Sequence, residues 1–275
     1  MLLAPIAGEN RFWCGMDQDK PLQKLVPAVE RAVGILDLIS TSKRFLTVSE
    51  LSRETNLPKS TVHGLCLTMV ELGLLIRRAD QSYILGPHLL RWSHGFDRQT
   101  DVATEFALIC EDMPIPEHAT ASLSVPEETD MVFIAARQST NRNRFTARPG
   151  MRLPAVFVAS GKAVLSLSAD FEVRRSFEGK FPPPLTTKSI TGIDELLDEL
   201  KAAREGGMAS DIGQCVEGVT NVSSPVLNAL NRPLAAVMLS APSELAEENA
   251  LKDLSEVVLG LANRLSYRMG AEVER

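Results

Sequence analysis

Residues 47–73 read TVSELSRETNLPKSTVHGLCLTMVELG, and this stretch decides the fold of the first third of the chain. Thr47-Val48-Ser49-Glu50 is a capping box. In it the Thr47 hydroxyl accepts from the Glu50 amide while the Glu50 carboxylate reaches back to the Thr47 amide. The box predicts a short helix over residues 48–55 with Val48 and Leu51 inward. Asn56 suits a left-handed helix end, and Pro58 is tolerated in the first turn of the next helix. That leaves about three residues between two helices, the length a helix-turn-helix needs. The second helix, over residues 59–72, turns Val62, Leu65, Cys66, Met69 and Leu72 inward. Ser60, Thr61, His63, Gly64, Thr68 and Glu71 face solvent, and Gly73 is the natural stop.

Upstream, residues 28–42 place Ala32, Val33, Ile35, Leu36 and Ile39 at helical spacing, with Glu30, Arg31 and Asp37 on other faces. Downstream, Leu74-Leu75-Ile76-Arg77-Arg78 and Tyr83-Ile84-Leu85 flank the polar turn Ala79-Asp80-Gln81-Ser82, which reads as a β-hairpin. Helix, helix, turn, helix, hairpin is the order of a winged helix-turn-helix, whose third helix enters the major groove of double-stranded DNA. Ser60, Thr61 and His63 then offer hydrogen bonds to base edges, with Thr68 further along the same exposed face. Lys59 supplies a phosphate contact, and Arg77 with Arg78 a backbone clamp from the wing. A plain helical hairpin with a polar face explains each piece singly, but not the capping box, tight turn and basic wing in this order.

The bulk composition fits two soluble domains. The chain has 275 residues, 44% of them hydrophobic and 23% charged, and no apolar run reaches the length of a membrane span. The opening run Met1–Ile6 is too short and too weakly flanked for a signal peptide, and residues 1–24 read as a loose arm, so the expected location is cytoplasmic. The net charge of −6 argues against nucleic acid until its distribution is read. Residues 1–98 hold 12 Lys or Arg against 10 Asp or Glu, and residues 99–275 hold 17 against 25. A mildly basic module joined to an acidic one suits DNA contact at one end. Cys14, Cys66, Cys110 and Cys215 form no CxxC pair, and His63, His88, His94 and His118 show no metal-ligand spacing. Reduced, buried thiols are expected, with no metal and no cofactor.

Residues 87–113 carry Leu89, Leu90, Trp92, Phe96, Val102, Phe106, Ile109 and Cys110 among polar residues, predicting one long or broken connecting helix. Its apolar face is either a dimer seam or packed on its own domain. A dimer seam would set two recognition helices about 34 Å apart, one turn of DNA. The remaining domain, residues 114–275, opens with strands at 119–125 and 131–137. Arg142, Asn143 and Arg144 make a charged loop, and a helix starts near Ser160. A helix over 193–205, strands near 208–212, 219–227 and 234–240, and a closing helix near 245–268 follow. The whole is an α+β protein: a winged helix-turn-helix over 25–86, a linker helix, and an α/β domain. Ser160 beside Lys162 invites comparison with an acyl-transfer nucleophile, but no SxxK or GxSxG pattern is present and His118 is the last histidine, so catalysis is not expected.

These motifs resemble those of the IclR family of bacterial transcription regulators. The likeness rests on Val29-Glu30-Arg31-Ala32, Leu57-Pro58-Lys59-Ser60-Thr61-Val62-His63, Leu72-Gly73-Leu74-Leu75 and Tyr83-Ile84-Leu85-Gly86. It continues through Gly150-Met151-Arg152-Leu153-Pro154, Gly161-Lys162-Ala163, Gly218-Val219 and Ser224-Pro225-Val226. The resemblance implies a GAF-like effector-binding domain and homo-oligomers, as dimers or dimers of dimers. It implies an effector cavity lined by Val156, Val158, Ala159, Ser160, Gly161, Asp211, Asn221, Met238 and Ser240. Helix-start amides at Ser160 and Gly161 suit a carboxylate, and Asp211 with Asn221 a hydroxyl or carbonyl. Gly64 departs from the family's usual Arg after the His, removing one DNA contact at a helix-interior cost of about 1 kcal/mol relative to Ala. Val156, Val158 and Met238 stand where relatives that sense small oxoacids are polar, and Asn221 where they carry Cys. The expected ligand is an aromatic or otherwise hydrophobic organic acid; plain core packing around a closed pocket is the other reading. A protein-interaction adaptor built on the winged helix is the competing function.

Overall fold

The computed structural model describes residues 26–137, 147–245 and 248–272. The arm at 1–24, Cys14 and the loop Arg142-Asn143-Arg144 lie outside the described residues. The chain divides into two units between Gln99 and Thr100, inside the segment read as a connector.

The first unit begins with α1 (Pro27–Thr41), which buries Ile35 completely with Ala32, Leu36 and Ile39 packed beside it. Val33, grouped with them by spacing, is exposed. Two residues back from Ile35 is about 200° around the helix, so both cannot face one core. The capping box then opens α2 (Val48–Thr55): the Glu50 carboxylate accepts from the Thr47 amide at 2.9 Å and the Thr47 hydroxyl at 2.8 Å. Asn56 ends α2 in the left-handed region (φ 54, ψ 31), and the Ser52 hydroxyl donates to the Leu57 carbonyl at 2.6 Å, fixing the turn into α3 (Lys59–Glu71).

Helix α3 buries Val62, Cys66 and Met69. Leu72, expected inside, is 56% exposed. It lies just past the last helical residue, where Gly73 turns to φ 71. The Gly73 amide donates to Val70 O and the Leu74 amide to Met69 O, a Schellman closure that puts Leu74 into the core in place of Leu72. The hairpin of β2 (Leu75–Arg77) and β3 (Ser82–Leu85) forms as expected, and a two-residue strand the pattern did not reveal, β1 (Leu46–Thr47), joins the other edge of β3. Gly86 has no room for a side chain, because a Cβ there would sit 2.2 Å from the Gly73 carbonyl oxygen. Helix α4 (His88–Gln99) follows, and its first residue is tied to the end of α3. The His88 amide donates to Gly73 O at 3.1 Å, its Nδ1–H points at Leu72 O at 2.8 Å, and its ring meets Trp92 edge-on at 5.1 Å.

The second unit carries α5 (Val102–Asp112), where Phe106, Ile109 and Cys110 are buried in the domain core. Strands β4 (Thr120–Glu127), β5 (Asp130–Arg137) and β6 (Arg152–Pro154) come next. Helices α6 (Ala159–Leu165), α7 (Asp170–Phe177) and α8 (Ile193–Gly206) follow. Strands β7 (Ala209–Ile212), β8 (Val219–Leu227) and β9 (Pro233–Pro242) lead to α9 (Glu248–Arg268). The strands make one antiparallel sheet in the order β6-β5-β4-β9-β8-β7. Neither β6 nor α7 was legible in the pattern. Alternation along the central strands sends Ala121, Leu123, Val222, Val226, Val237 and Leu239 to the face covered by α5 and α9. The opposite face is packed by α6. The molecule is α+β. Among the described residues no helix is long and apolar enough to cross a membrane.

Candidate functional site

On α3 the exposed stripe runs Ser60, Gly64, Leu67, Glu71, spaced by three or four residues, with Thr61 and Thr68 on one flank and His63 on the other. Every side chain expected to reach DNA from this helix is therefore exposed or half-buried. Thr68 is partly committed, since its hydroxyl donates to the Gly64 carbonyl at 3.0 Å. Leu67 was missed; it is an exposed apolar residue in the middle of the stripe, suited to a thymine methyl. Nothing lies within 4 Å of where a Gly64 side chain would begin.

The cations around α3 divide into spent and free. Arg44 is held by Glu50 at 2.6 Å and Glu54 at 3.7 Å, and Arg53 by Glu54 at 3.4 Å. The Thr47 amide and hydroxyl, helped by Arg44, hold the Glu50 carboxyl below the usual range. Arg77 hydrogen-bonds the Gln81 side chain, and the Arg78 guanidinium lies over the Phe45 ring at 4.2 Å. Lys59 is exposed at the start of α3.

In the second unit the strand register gathers residues that are far apart in sequence. Asp211 pairs with Asn221, Asn221 with Ser240, and Ser240 with Thr120, giving one row across β7, β8, β9 and β4. The next row on that face is Ser223, Met238 and Ser122. All are buried, beneath or beside α6. Val156, Val158, Ala159 and Met238 belong to one core cluster with Phe133 and Phe157.

Asp211 is the electrostatic centre of the row. One carboxylate oxygen accepts from the Gln214 and Cys215 amides at 2.8 and 3.2 Å, and the other from the Asn221 side-chain amide at 2.6 Å. Burial nonetheless pushes its pKa above the usual carboxylate value, against the pull of Asn221, Lys162 and the two backbone amides. Burial also lifts the neighbouring Cys215 thiol to about 12, which keeps it an unreactive thiol. Lys162, which the sequence set beside Ser160, is buried on α6 and reaches the Gln214 side chain at 2.7 Å and the Glu199 carboxylate. Gln214 also donates to Glu199 at 2.6 Å.

Two expected roles change. The Gly161 amide, read as facing an anion, donates to Val158 O at 3.0 Å. Gly161 is instead demanded by packing, because a Cβ there would sit 2.2 Å from Ala155 O and 2.3 Å from Ala155 Cα. Asn221 has turned its amide nitrogen to Asp211, so what it leaves over is an acceptor. The Ser160 Oγ, Ser124 Oγ and Asn221 Oδ1 atoms are buried with no hydrogen-bond partner. Thr120, Ser122, Ser124 and Ser223 were missed, though Thr-Ala-Ser-Leu-Ser over residues 120–124 alternates hydroxyl and apolar in the strand period.

A basic-tipped winged helix-turn-helix joined to a separate sheet domain with a polar patch in its core defines a DNA-binding transcriptional regulator with a sensory domain. The chain belongs to the IclR family. Residues 28–79 match the IclR helix-turn-helix domain, and residues 96–267 match the bacterial transcriptional regulator IclR C-terminal domain. The crystal structure of the Agobacterium tumefaciens repressor BlcR is similar to this chain at 38% identity and a TM-score of 0.73, covering 90% of this chain and 99% of that one. The HTH-type transcriptional regulator XynR of Escherichia coli (strain K12) is 26% identical over 248 residues, 88% of this chain and 98% of that protein. An IclR homologue from Microbacterium hydrocarbonoxydans, crystallised in complex with 4-hydroxybenzoate, shares the fold at 22% identity and a TM-score of 0.51, covering 87% of this chain and 99% of that one. These relatives are regulators rather than enzymes.

Proposed function

We propose that this regulator binds an operator through α3 and the wing, and that a small organic acid held between α6 and the sheet sets its affinity for that operator. Lys59 meets a phosphate, Ser60, Thr61, His63 and Thr68 face the major groove, and Arg77 and Arg78 clamp the backbone. The winged module is residues 25–86, the linker 87–113 and the effector domain 114–275. Apolar residues of the linker divide between two tasks. Phe106, Ile109 and Cys110 of α5 are core, whereas Leu90 (74% exposed), Trp92 and Phe96 on α4 stand open and supply the seam of a homodimer.

The single observation that carries the effector reading is the pair of orphaned polar atoms, Ser160 Oγ and Asn221 Oδ1, inside an otherwise closed core. Each buried polar group left without a partner costs about 1–3 kcal/mol, so a polar occupant has something to satisfy. The Ser160 hydroxyl donates to the acid's carboxylate, and Asn221 Oδ1 accepts from a ligand hydroxyl. Val156, Val158, Ala159 and Met238 offer the apolar wall for an aromatic or hydrophobic body, with Gly161, Asp211 and Ser240 completing the lining. The relative solved with 4-hydroxybenzoate supports an acid of this kind. Thermal melting with a panel of organic acids tests it: aromatic acids raise the melting temperature, and Ser160→Ala abolishes the rise. Stabilisation by short hydrophilic acids alone would sink the aromatic reading. Gel shifts on DNA upstream of its own gene, with and without the active acid, then measure the coupling; equal affinity in both states refutes it, because a ligand shifts an equilibrium only by its differential affinity.

A further inference from the structure

The small wing sheet carries a contact that neither α3 nor the hairpin loop accounts for. Phe45, one residue before β1, is 55% exposed and lies outside the hydrophobic core of its unit. Leu46 next to it is buried, so alternation turns Phe45 to the outer face of the sheet. There its ring carries the Arg78 guanidinium, 4.2 Å from the ring centroid. Two neighbouring arginines are engaged: Arg44 with two carboxylates, and Arg77 with Gln81. Among the described residues no carboxylate forms an ion pair with Arg78. The acid beside it in the turn, Asp80, is turned to the Ser82 amide and hydroxyl at 3.1 and 2.5 Å. A large aromatic side chain kept out of the core, holding by its face a cation that no described carboxylate ion-pairs, is shaped for a partner that is anionic and has apolar walls.

We propose that Phe45 and Arg78 act as one DNA contact, in which the ring holds the guanidinium flat and takes Arg78 from the backbone clamp, which Arg77 keeps, into the minor groove flanking the site read by α3. The proposal rests on the reading of α3 as the recognition helix. A planar guanidinium already stacked on a ring loses little further freedom on binding, and arginine favours the narrow, strongly negative minor groove of A·T-rich DNA. The exposed rim of the ring then packs against deoxyribose. Phe45 thereby contributes to operator choice although it belongs to neither the recognition helix nor the wing loop.

The test uses the full-length chain and the shortest upstream DNA fragment that it shifts. Phe45→Ala lowers affinity about three- to tenfold, while the slope of log affinity against log salt stays as in the wild type because the charge remains. Arg78→Ala lowers affinity and reduces that slope by about one. In the Arg78→Ala background, Phe45→Ala costs nothing more. Phe45→Trp retains binding, whereas Phe45→Leu, apolar but without a ring face, behaves like Phe45→Ala. Changing the flanking A·T pairs to G·C weakens the wild type, and inosine·C pairs, which lack the minor-groove amino group, do not. Folded Phe45→Ala and Phe45→Leu variants that bind as tightly as the wild type, or additive losses in the double variant, overturn the proposal alone. A wild-type chain that shifts no fragment overturns the DNA reading of α3 with it.

Discussion

Gly161 and Gly64 both sit within helices, yet they obey opposite constraints. The backbone of Ala155 presses on Gly161 so closely that a methyl group would overlap it, whereas Gly64 faces open space. Gly161→Ala is expected to destabilise the second unit by about 1–3 kcal/mol through overpacking. Gly64→Ala is expected to stabilise the first unit by about 1 kcal/mol through helix propensity alone. Chemical denaturation of the two variants checks both signs; equal effects would mean that the close approach of Ala155 to Gly161 is misplaced. Motif reading found Gly161 but not its packing constraint, since a glycine required by a neighbour 6 residues back looks the same in sequence as one that greets a ligand. Asp211, Asn221 and Ser240 came from family likeness, not from spacing, because only strand register unites them. Lys162 was noticed beside Ser160, but its buried partners were not legible, because Glu199 and Gln214 come from other elements.

Elements with local punctuation were legible. The capping box, Asn56 and Gly73 mark the ends of α2 and α3 within a few residues of the signal. Strand β1 was not legible, because two residues become a strand only when β3 lies beside them. Helix α7 was equally hidden, with Val173 and Phe177 its only buried side chains. The junction of α3 and α4 makes a prediction at this scale. His88 holds the end of α3 by its amide and its ring, so His88→Ala should cost about 1 kcal/mol of stability in the first unit. Operator affinity should fall with it. Asparagine places an amide N–H near the position of Nδ1, so His88→Asn should recover most of both losses. Hydrogen exchange at the amides of Gly86 and Leu89 reads the corner directly. Unchanged protection in His88→Ala would show that the ring contact holds nothing.

Across the whole molecule, the buried carboxyl of Asp211 links stability to pH. Its folded pKa lies above the unfolded value because burial outweighs its hydrogen bonds, so the folded state holds the proton more tightly. The contribution is then fully present below the unfolded pKa and is lost as pH rises through the folded one. The melting temperature of the second unit should carry a declining component in that window, and Asp211→Asn should remove it. An Asp211→Asn variant with the same pH profile as the wild type would show that the carboxyl is not buried in solution.

The two faces of the six-stranded sheet have unequal freedoms. Between α9 and the sheet, most side chains belong to one apolar cluster, and a change there is felt as lost packing. Under α6 the alternate residues of β4, β8 and β9 mix polar side chains (Thr120, Ser122, Asn221, Ser223 and Ser240) with Met238, while register is kept by the backbone ladder and by the opposite face. Such a protein inherits two texts interleaved on the same strands. Odd residues along β4 spell the scaffold and even ones spell the message received. A descendant chain can acquire a new signal by rewriting every second letter and copying the rest unchanged.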